Sequence, residues 1–564
     1  MKGRYKDLTL KGDLFGGVTT AIISLPLALA FGVASGAGAE AGLWGAIMVG
    51  LFAALFGGSS SLISEPTGPM TVIVTAVLTT MTAKYPESGL AMTFTVVMMA
   101  GAFQILLGAL KLGKYITLMP YSVISGFMSG IGVILIILQL APLLGQPSPS
   151  GGVVGTLNQL PELLAAISFS ELFLGGSTLA ILFLFPKRYR KFVPAQLVAL
   201  IAITLLSMLL FGEDSIRRIG AIPSGLPTLV LPTFSADMLT TMLIDALVLG
   251  TLGCIDTLLT AVIGDSLTRK EHNSDRELCG QGIANMLCGL FGALPGAGAT
   301  MGTVTNIQVG ARSPLSGVVR ALVLALVVLV ASDLTAPIPM AVLAGIAVYV
   351  GFNILDWSFI SRAHKVSWQG TFIMYGVMFL TVFVDLIVAV GLGVFISNIL
   401  VIERLSREQA RQVKAISDGD EDDVPLTDTE RLLLERANGQ VLFFYLSGPM
   451  IFSVSKAISR QHSSISDYQV MILDLSDVPM IDVTVALALE NAIKDALEAQ
   501  CQVYLLSPHE QTTAQLDKLN VTSLVARHHW YNSRYEALKA SLRDIEGRHT
   551  SQVTRLTSVV NENH

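Results

Sequence analysis

Residues 64–70 read SEPTGPM and residues 294–300 read LPGAGAT, and these two stretches decide the fold. Each places proline and glycine at the mouth of a hydrophobic segment, where a regular helix is interrupted. Short, interrupted hydrophobic segments at corresponding positions of two halves of a chain are typical of a transporter binding site. The pair therefore predicts two half-helices whose N-termini face each other inside a membrane. The alternative is that these prolines and glycines only permit kinks and close helix packing.

The composition is that of a membrane protein. Of the 564 residues, 52% are hydrophobic and only 14% are charged, and the mean hydropathy is +0.64. Soluble domains carry about 25% charged residues. The 51 glycines and 22 prolines suit closely packed and interrupted helices. Because the sequence shows no nucleophile motif, metal-binding Cys/His set or Walker loop, an enzyme or an ATP-driven pump finds no support.

Apolar windows predict an α-helical polytopic membrane protein with about fourteen spans between residues 14 and 402. The third segment, 67–83, and the tenth, 300–311, are shorter than the roughly 20 residues that cross a bilayer. We expect both to be part helix and part extended chain. They lie seven segments apart, and this odd offset predicts 7+7 inverted repeats. The basic residues of alternate loops predict that both termini are cytoplasmic.

After residue 403 the composition changes from a transmembrane transport domain to soluble sequence. The segment 404–436 is basic and then acidic, which indicates a linker. Within 437–547, apolar runs typical of strands alternate with the amphipathic stretch DVTVALALENAIKDALEAQ, and this alternation predicts an α/β domain. The polar tail at 548–564 is expected to be disordered.

Two facing helix N-termini select a small anion as ligand. Each end presents free N–H groups and about half a positive charge. Around the two interruptions, Thr67, Gly68, Thr300 and Thr303 offer hydroxyls or bare backbone. The sequence therefore predicts an anion site between the third and tenth segments.

Asp256 lies within the uncharged run 246–264, where a carboxylate must be neutral, paired or bound to a cation. Thr260 follows one helical turn later on the same face. A structural role, bonding a neighbouring helix, remains an alternative. So does a protonated carboxylate in a proton-coupled carrier, although none of the eight histidines falls in a predicted span. We favour a sodium site completed by carbonyls at residues 298–300, since sodium prefers oxygen ligands.

The longer stretches 12–48, 61–78 and 294–322, followed by VMILDLSDVPMIDVTVALALE at 470–490, resemble the SulP (sulfate permease) anion transporters with their C-terminal STAS domain. Within that family the resemblance is strongest to the cyanobacterial bicarbonate carriers. It implies two inverted repeats of seven spans each, which form a core domain and a gate domain. The core domain would carry the substrate past the gate domain in an elevator-type movement. It also implies sodium-dependent bicarbonate uptake at the plasma membrane, sodium as coupling ion with no covalent cofactor, and a homodimer through the cytoplasmic STAS-like domain.

The resemblance also implies the residues of the site. Those implied for bicarbonate are Thr67, Gly68, Ala299 and Thr300; those implied for sodium are Asp256, Thr260, Gly298, Ala299 and Thr300. By analogy with STAS switches, Thr484 is a candidate regulatory residue. Many SulP relatives have an arginine in span ten, where this chain has Gly302, and a sodium ion would supply the missing positive charge.

Two rival functions stay open on the sequence. One is proton-coupled symport of sulfate or another small oxyanion. The other, of a different class, is a membrane-anchored STAS regulatory protein whose spans serve only as an anchor. Neither the charge of −6 nor any motif points to nucleic acid, so the expected partners are bicarbonate, sodium, membrane lipid and a second copy of the chain.

Overall fold

The structure is a computed structural model. It describes residues 9–116, 120–149, 151–186, 188, 194–212, 215–220, 225–331, 335–366, 368–384, 386–417, 424–451, 454–463, 468–506 and 509–561. The chain separates into two compact units, Met1–Ser397 and Asn398–His564. The first unit is helical and the second is an α/β domain, as the sequence predicts.

The first half of the helical unit contains one two-residue strand and eleven helices among the described residues. In chain order these are α1 Leu10–Ala34, α2 Ala39–Phe56, β1 Ser64–Glu65, α3 Gly68–Lys84, α4 Gly89–Ala109, α5 Gly113–Ile116, α6 Tyr121–Leu138, α7 Leu140–Leu143, α8 Gly152–Asn158, α9 Leu160–Ala165, α10 Phe169–Leu184 and α11 Ala195–Leu210.

The second half repeats this pattern of long apolar helices around a two-residue strand. Its elements are α12 Leu239–Thr268, α13 Ser274–Leu290, β2 Ala297–Gly298, α14 Thr300–Gln308, α15 Leu315–Ala331, α16 Met340–Ile354, α17 Trp357–Ile360, α18 Ala363–Val366, α19 Trp368–Phe383 and α20 Leu386–Ala410. The last of these helices ends in the second unit.

Each predicted apolar segment contains a helix in the structure. Among the described residues, length and composition qualify five helices as membrane spans, and five shorter apolar helices accompany them. The span count of fourteen and the inverted repeats stay predictions. The five are Leu10–Ala34, Ala39–Phe56, Gly89–Ala109, Tyr121–Leu138 and Ala236–Thr268.

Glycines let these helices approach more closely than side chains would allow. A Cβ placed on Gly42 of α2 would lie 2.0 Å from the Ala28 carbonyl oxygen and 2.8 Å from Gly32 Cα, both on α1. Helices α4 and α13 also approach each other closely at glycines, because a Cβ on Gly282 of α13 would lie 2.5 Å from the Gly101 carbonyl oxygen of α4. Small residues at helix crossings provide the van der Waals contact that holds membrane helices together.

The two interrupted segments meet at a strand pair. β1 and β2 are antiparallel, with Ser64 opposite Gly298 and Glu65 opposite Ala297. Each strand leads within three residues into its helix, α3 or α14. Because the strands are antiparallel, these helices leave the pair in opposite directions. The prediction that segments three and ten are part extended and part helical is thus confirmed.

The second unit is a five-stranded sheet covered on both faces. Its elements are β3 Val413–Ile416, α21 Asp428–Arg436, β4 Val441–Ser447, α22 Ser455–Ser463, β5 Val470–Asp477, α23 Val483–Glu498, β6 Gln502–Leu506, α24 Glu510–Lys518, β7 Trp530–Tyr531 and α25 Arg534–Asn561. The strand order is β3-β4-β5-β6-β7; β3 is antiparallel to β4 and the remaining neighbours are parallel. One face of the sheet packs on α22, α23 and α24, and the other on α21 and α25.

The predicted boundaries of this domain need correction. The segment 404–436, predicted as a linker, contains β3, an edge strand of the sheet, and α21, which packs against α25. A capping box at Thr427 and Glu430 begins α21. The predicted disordered tail from 548 is helical to Asn561, since α25 continues through it. Residues 418–423, within the predicted linker, lie outside the described residues.

The α1–α2 crossing yields a stability prediction. We expect Gly42→Ala to lower the unfolding free energy by about 3 kcal/mol or more, because its methyl group must displace helix backbone rather than a side chain. Gly176→Ala is the matched control: its Cβ meets nothing within 4 Å, so its effect should stay within about 1 kcal/mol. Thermal unfolding of both variants in detergent measures the difference. Equal melting temperatures would contradict the close crossing.

Candidate anion and cation site

No N-cap side chain bonds to the first N–H groups of α3 or of α14. Thr67 is the N-cap of α3 and Ala299 the N-cap of α14, and neither side chain caps its helix. Both residues are nearly buried, 9% and 8% exposed. Thr71 N–H bonds to Thr67 and Thr303 N–H to Ala299, so the N–H groups ahead of them have no partner within the helix. The anion site predicted from the sequence therefore has its two helix ends in place.

Buried amides fix the approach to β2. The Asn285 side chain accepts from Gly296 N–H at 2.9 Å and donates to the Gly296 carbonyl at 3.0 Å. Gln281 donates to the same carbonyl at 2.8 Å, and Gln104 Oε1 accepts from Asn285 at 2.9 Å. Both backbone groups of Gly296 are thereby satisfied without water. This network holds the interrupted chain in position at the start of the site.

Three of the predicted sodium-site residues lie together. The Thr260 hydroxyl donates to the Gly298 carbonyl at 2.9 Å and lies 3.0 Å from the Thr300 hydroxyl. Gly298 N–H donates to Thr257 Oγ1 at 3.1 Å. A Cβ on Gly298 would lie 3.1 Å from Thr257 Cα, so α12 packs directly on the strand backbone. Two hydroxyls and one carbonyl thus converge where α12, β2 and α14 meet.

Asp256 lies one turn before this cluster and carries an unsatisfied oxygen. Its Oδ2 is buried and has no hydrogen-bond partner among the described residues. The Thr67 side chain lies beside this carboxylate, and Thr67 Oγ1 and Ser64 Oγ are likewise buried with no partner in the described part of the chain. Buried polar oxygens are normally bonded, so the adjacent oxygens of Asp256 and Thr67 indicate room for a ligand. A cation satisfies a carboxylate and hydroxyl oxygens, and this donor set fits sodium.

A small cavity of about 10 Å³ touches Asp256. Pro69 of α3 and Phe127 of α6 form part of its wall. That volume is about the space of one water-sized particle. The carboxylate therefore borders a small space between α3, α6 and α12.

Thr303 supports the strand pair, and its predicted contact with the anion stays a prediction. It is fully buried, and its hydroxyl accepts from Ile63 N–H at 3.0 Å, which holds the residue before β1. Gly68 has its place at the start of α3, where a Cβ would lie 2.4 Å from Ile354 Cδ1 of α16. The structure therefore brings Thr67, Gly68, Ala299 and Thr300 to the two helix ends, while Thr303 supports the strand pair.

Sequence reasoning missed Arg320. This arginine of α15 is fully buried and forms a 2.6 Å ion pair with Glu65 of β1. This ion pair anchors Glu65 within the strand pair. Arg320 is the only charged residue in the apolar stretch 314–332, and that isolation is the signal that would have found it.

Two larger cavities, each of about 550 Å³, flank the paired helices. One runs along α3, α6, α12 and α19 and includes Thr75 and Asp245. The other runs along α1, α11, α14 and α16 and includes Thr19 and Gln308. A shift of seven predicted segments converts α3 into α14, and α1 into α12. The same shift converts α6 into α16, so three of the four helices named for each cavity correspond in the two predicted repeats, whereas α19 and α11 do not.

Thr484 is exposed, as the second residue of α23. Asp482 caps this helix by accepting from Val485 N–H at 2.8 Å, as its strand-to-helix position suggests. Thr484 is thus accessible at a helix N-terminus, and its regulatory role stays a prediction.

Comparison with known protein families covers most of the chain. The family described as "Sulfate permease family" matches residues 10–377, and the STAS domain matches residues 435–537. Together they span the helical unit to α19 and the α/β domain from the end of α21 to the start of α25.

Individual relatives extend over nearly the full length. The chain is 57% identical over 540 residues to "Bicarbonate transporter BicA" of Picosynechococcus sp., covering 95% of each chain. It is 58% identical over 551 residues to the protein of the same name from Synechocystis sp., covering 98% of this chain and 97% of the relative. The solved transmembrane domain of a cyanobacterium bicarbonate transporter BicA superimposes with a TM-score of 0.66 at 62% identity, covering 68% of this chain and 98% of that one.

The amide network yields a prediction about the site's framework. Asn285→Ala leaves the Gly296 N–H unsatisfied and should lower the unfolding free energy by about 1 to 3 kcal/mol. Asn353→Ala is the control, because that side chain bonds only to the Tyr349 carbonyl of its own helix. Thermal unfolding and substrate uptake are measured for both. A network without structural importance would leave the two variants indistinguishable.

Proposed function

Because the chain belongs to the sulfate permease family and has a STAS domain at its C-terminal end, we propose that it takes up bicarbonate together with sodium. It is a membrane transporter and not an enzyme. The observation that most supports this proposal is that the uncapped N-termini of α3 and α14 lie beside the Asp256 carboxylate, whose Oδ2 has no partner among the described residues. That arrangement offers one position to an anion and an adjacent one to a cation.

Bicarbonate as substrate is supported by the relatives and by the chemistry of the site. Two proteins at least 57% identical over 95% or more of this chain are named bicarbonate transporters. A small planar monoanion can accept from backbone N–H groups at Gly68 and Thr300. It can also donate its hydroxyl proton to an acceptor such as Thr67 Oγ1. The two helix dipoles favour a single negative charge between them.

Sodium as the coupling ion is supported by Asp256. A bicarbonate ion entering alone would approach a carboxylate whose Oδ2 has no partner. A sodium ion between them would satisfy that oxygen and attract the anion by roughly 3 to 4 kcal/mol at about 4 to 5 Å and an effective dielectric near 20. After desolvation losses, the net coupling is expected at about 1 to 2 kcal/mol, which is five- to thirtyfold in affinity.

The transport cycle we propose is an elevator-type alternating access. The two cavities of about 550 Å³ lie along helices of which three in each correspond in the two predicted repeats, as two alternating entrances would. The remaining parts of the proposal are plasma-membrane location, cytoplasmic termini and a homodimer through the STAS domain. They rest on the basic residues of alternate loops and on the family resemblance.

Proton-coupled uptake of sulfate or another oxyanion is the rival to test. Uptake of isotope-labelled bicarbonate by cells or proteoliposomes is measured in sodium and in choline buffers across a range of pH. We expect flux to need sodium and the bicarbonate KM to fall several-fold as sodium rises. Flux that persists in choline and follows the proton gradient would instead establish the rival.

Asp256→Asn tests the cation site directly. The amide keeps the shape of the side chain and removes its charge, so sodium-stimulated uptake should fall by at least tenfold while the protein still folds. Asp237→Asn, an exposed carboxylate just before α12, is the matched control and should retain uptake. Wild-type sodium dependence in a folded Asp256→Asn protein would exclude this carboxylate as a ligand.

Thr260→Val tests the second half of the cation site. The substitution keeps the volume but removes the hydroxyl that contacts Gly298 and Thr300. We expect the sodium concentration for half-maximal uptake to rise several-fold, with a smaller loss of maximal velocity. Thr260→Ser restores the hydroxyl and should restore sodium affinity. Should valine and serine behave alike, the hydroxyl would have no part in sodium binding.

A further inference from the structure

A buried ion pair joins α15 to the strand pair beneath the site. Arg320 donates from Nη2 to Glu65 Oε2 at 2.6 Å, from Nη1 to the Ser64 carbonyl at 3.0 Å and from Nε to Ser24 Oγ at 2.9 Å. The Ser24 hydroxyl donates in turn to the same Glu65 oxygen. All three guanidinium nitrogens are therefore bonded within the protein, and Arg320 has no exposed surface.

The other oxygen of Glu65 faces the first turn of α14. A Cβ on Gly302 would lie 3.4 Å from Glu65 Oε1. Gly302 comes two residues after Thr300, so this oxygen borders the helix end that is to receive the anion. The Glu65 carboxylate thus stands between the guanidinium of Arg320 and the N-terminus of α14.

We propose that Glu65 makes bicarbonate transport depend on sodium, because its carboxylate cancels the positive charge of Arg320 at the anion site. This inference rests on the proposed sodium–bicarbonate symport. With Glu65 ionised, the pair adds almost no net charge near the two helix ends, and an anion gains nothing from the guanidinium. Without that carboxylate, Arg320 would be a fixed positive charge that replaces the mobile cation.

The geometry favours a carboxylate that does more than brace the fold. A purely structural contact between Arg320 and the strand pair needs only hydrogen-bond acceptors. The Ser64 and Ala46 carbonyls already accept from Arg320 Nη1, at 3.0 and 3.3 Å. A full negative charge is required only to neutralise the guanidinium. Removing both charges of a buried ion pair from water costs free energy that their mutual attraction often does not fully offset. The pair at this site therefore carries an energetic cost that a purely structural contact would avoid. Glu65 is accordingly a positioning and charge-setting residue, which acts on the anion through Arg320.

Glu65→Gln separates the two roles. The amide oxygen still accepts from Arg320 Nη2, while the negative charge is lost. Because the uncancelled guanidinium would attract the anion through an effective dielectric near 20, we expect the bicarbonate KM at low sodium to fall by about tenfold. The sodium concentration for half-maximal uptake should rise, and the ratio of KM values without and with sodium should approach one.

The double variant Glu65→Gln/Arg320→Gln is the charge-matched control. It removes both charges, so the sodium dependence should return toward that of the wild type even if stability is lower. Both proteins are checked for monodispersity and thermal unfolding before uptake is measured. A folded Glu65→Gln protein with wild-type sodium dependence, or a double variant identical to the single one, would overturn the inference.

A second position decides the matter if Glu65→Gln does not fold. Gly302→Arg brings a guanidinium toward Glu65 Oε1 from the opposite side, with Ile63 Cγ2 giving way from 3.1 Å. Gly302→Gln is its uncharged control. We expect only the arginine to weaken sodium dependence, whereas equal sodium dependence in the two variants would reject the charge-setting role.

The wild-type protein distinguishes this inference from the proposed function. If wild-type bicarbonate uptake proves independent of sodium, the symport itself fails and the role of Glu65 fails with it. If the wild type needs sodium and the variants described above keep that need unchanged, the symport stands and only the role of Glu65 is rejected.

Discussion

The structure of the helical unit depends on the antiparallel pairing of β1 with β2 within a helical, apolar unit. Extended backbone there has no water to satisfy its N–H and C=O groups, so each must find a partner in the protein. The strands pair with each other, and Ala299 N–H adds a bond to the Ile63 carbonyl at 2.8 Å. Because this pairing fixes where α3 and α14 begin, it also fixes where their unsatisfied N–H groups point.

The surrounding helices serve that constraint in two ways. Polar side chains from α12, α13 and α15 bond the strands and the residues that flank them, with Thr257, Asn285 and Arg320 as the main contributors. Glycines let helix backbones approach each other, as at Gly42, and let α12 approach β2 at Gly298. Specific polar contacts and close packing thus replace the hydrophobic effect, which contributes little between helices in lipid.

The sequence predicted the parts of the site that are local in the chain. Thr67, Gly68 and Thr300 follow from the two proline- and glycine-rich interruptions, and Thr260 follows from its one-turn spacing to Asp256. The ion pair between Glu65 and Arg320 was missed because its members lie 255 residues apart and no periodicity connects them. The bond from Ile63 N–H to Thr303 was missed because spacing alone does not tell which face of a short helix turns toward the strands. The edge strand β3 was missed because it is four residues long and precedes an acidic run.

The charges around the site explain why a symporter is a physically consistent outcome. The two helix ends together supply about one positive charge. Glu65 and Arg320 sum to zero, and an ionised Asp256 contributes one negative charge. Before either ion binds, the site with an ionised Asp256 is therefore close to neutral, and a bicarbonate ion alone would leave it with an excess negative charge in an apolar surrounding. A cation at Asp256 removes that excess, so the loaded site is again close to neutral and can cross the membrane interior at the least electrostatic cost. Coupling between the two ions then follows from charge balance, with no separate conformational signal required.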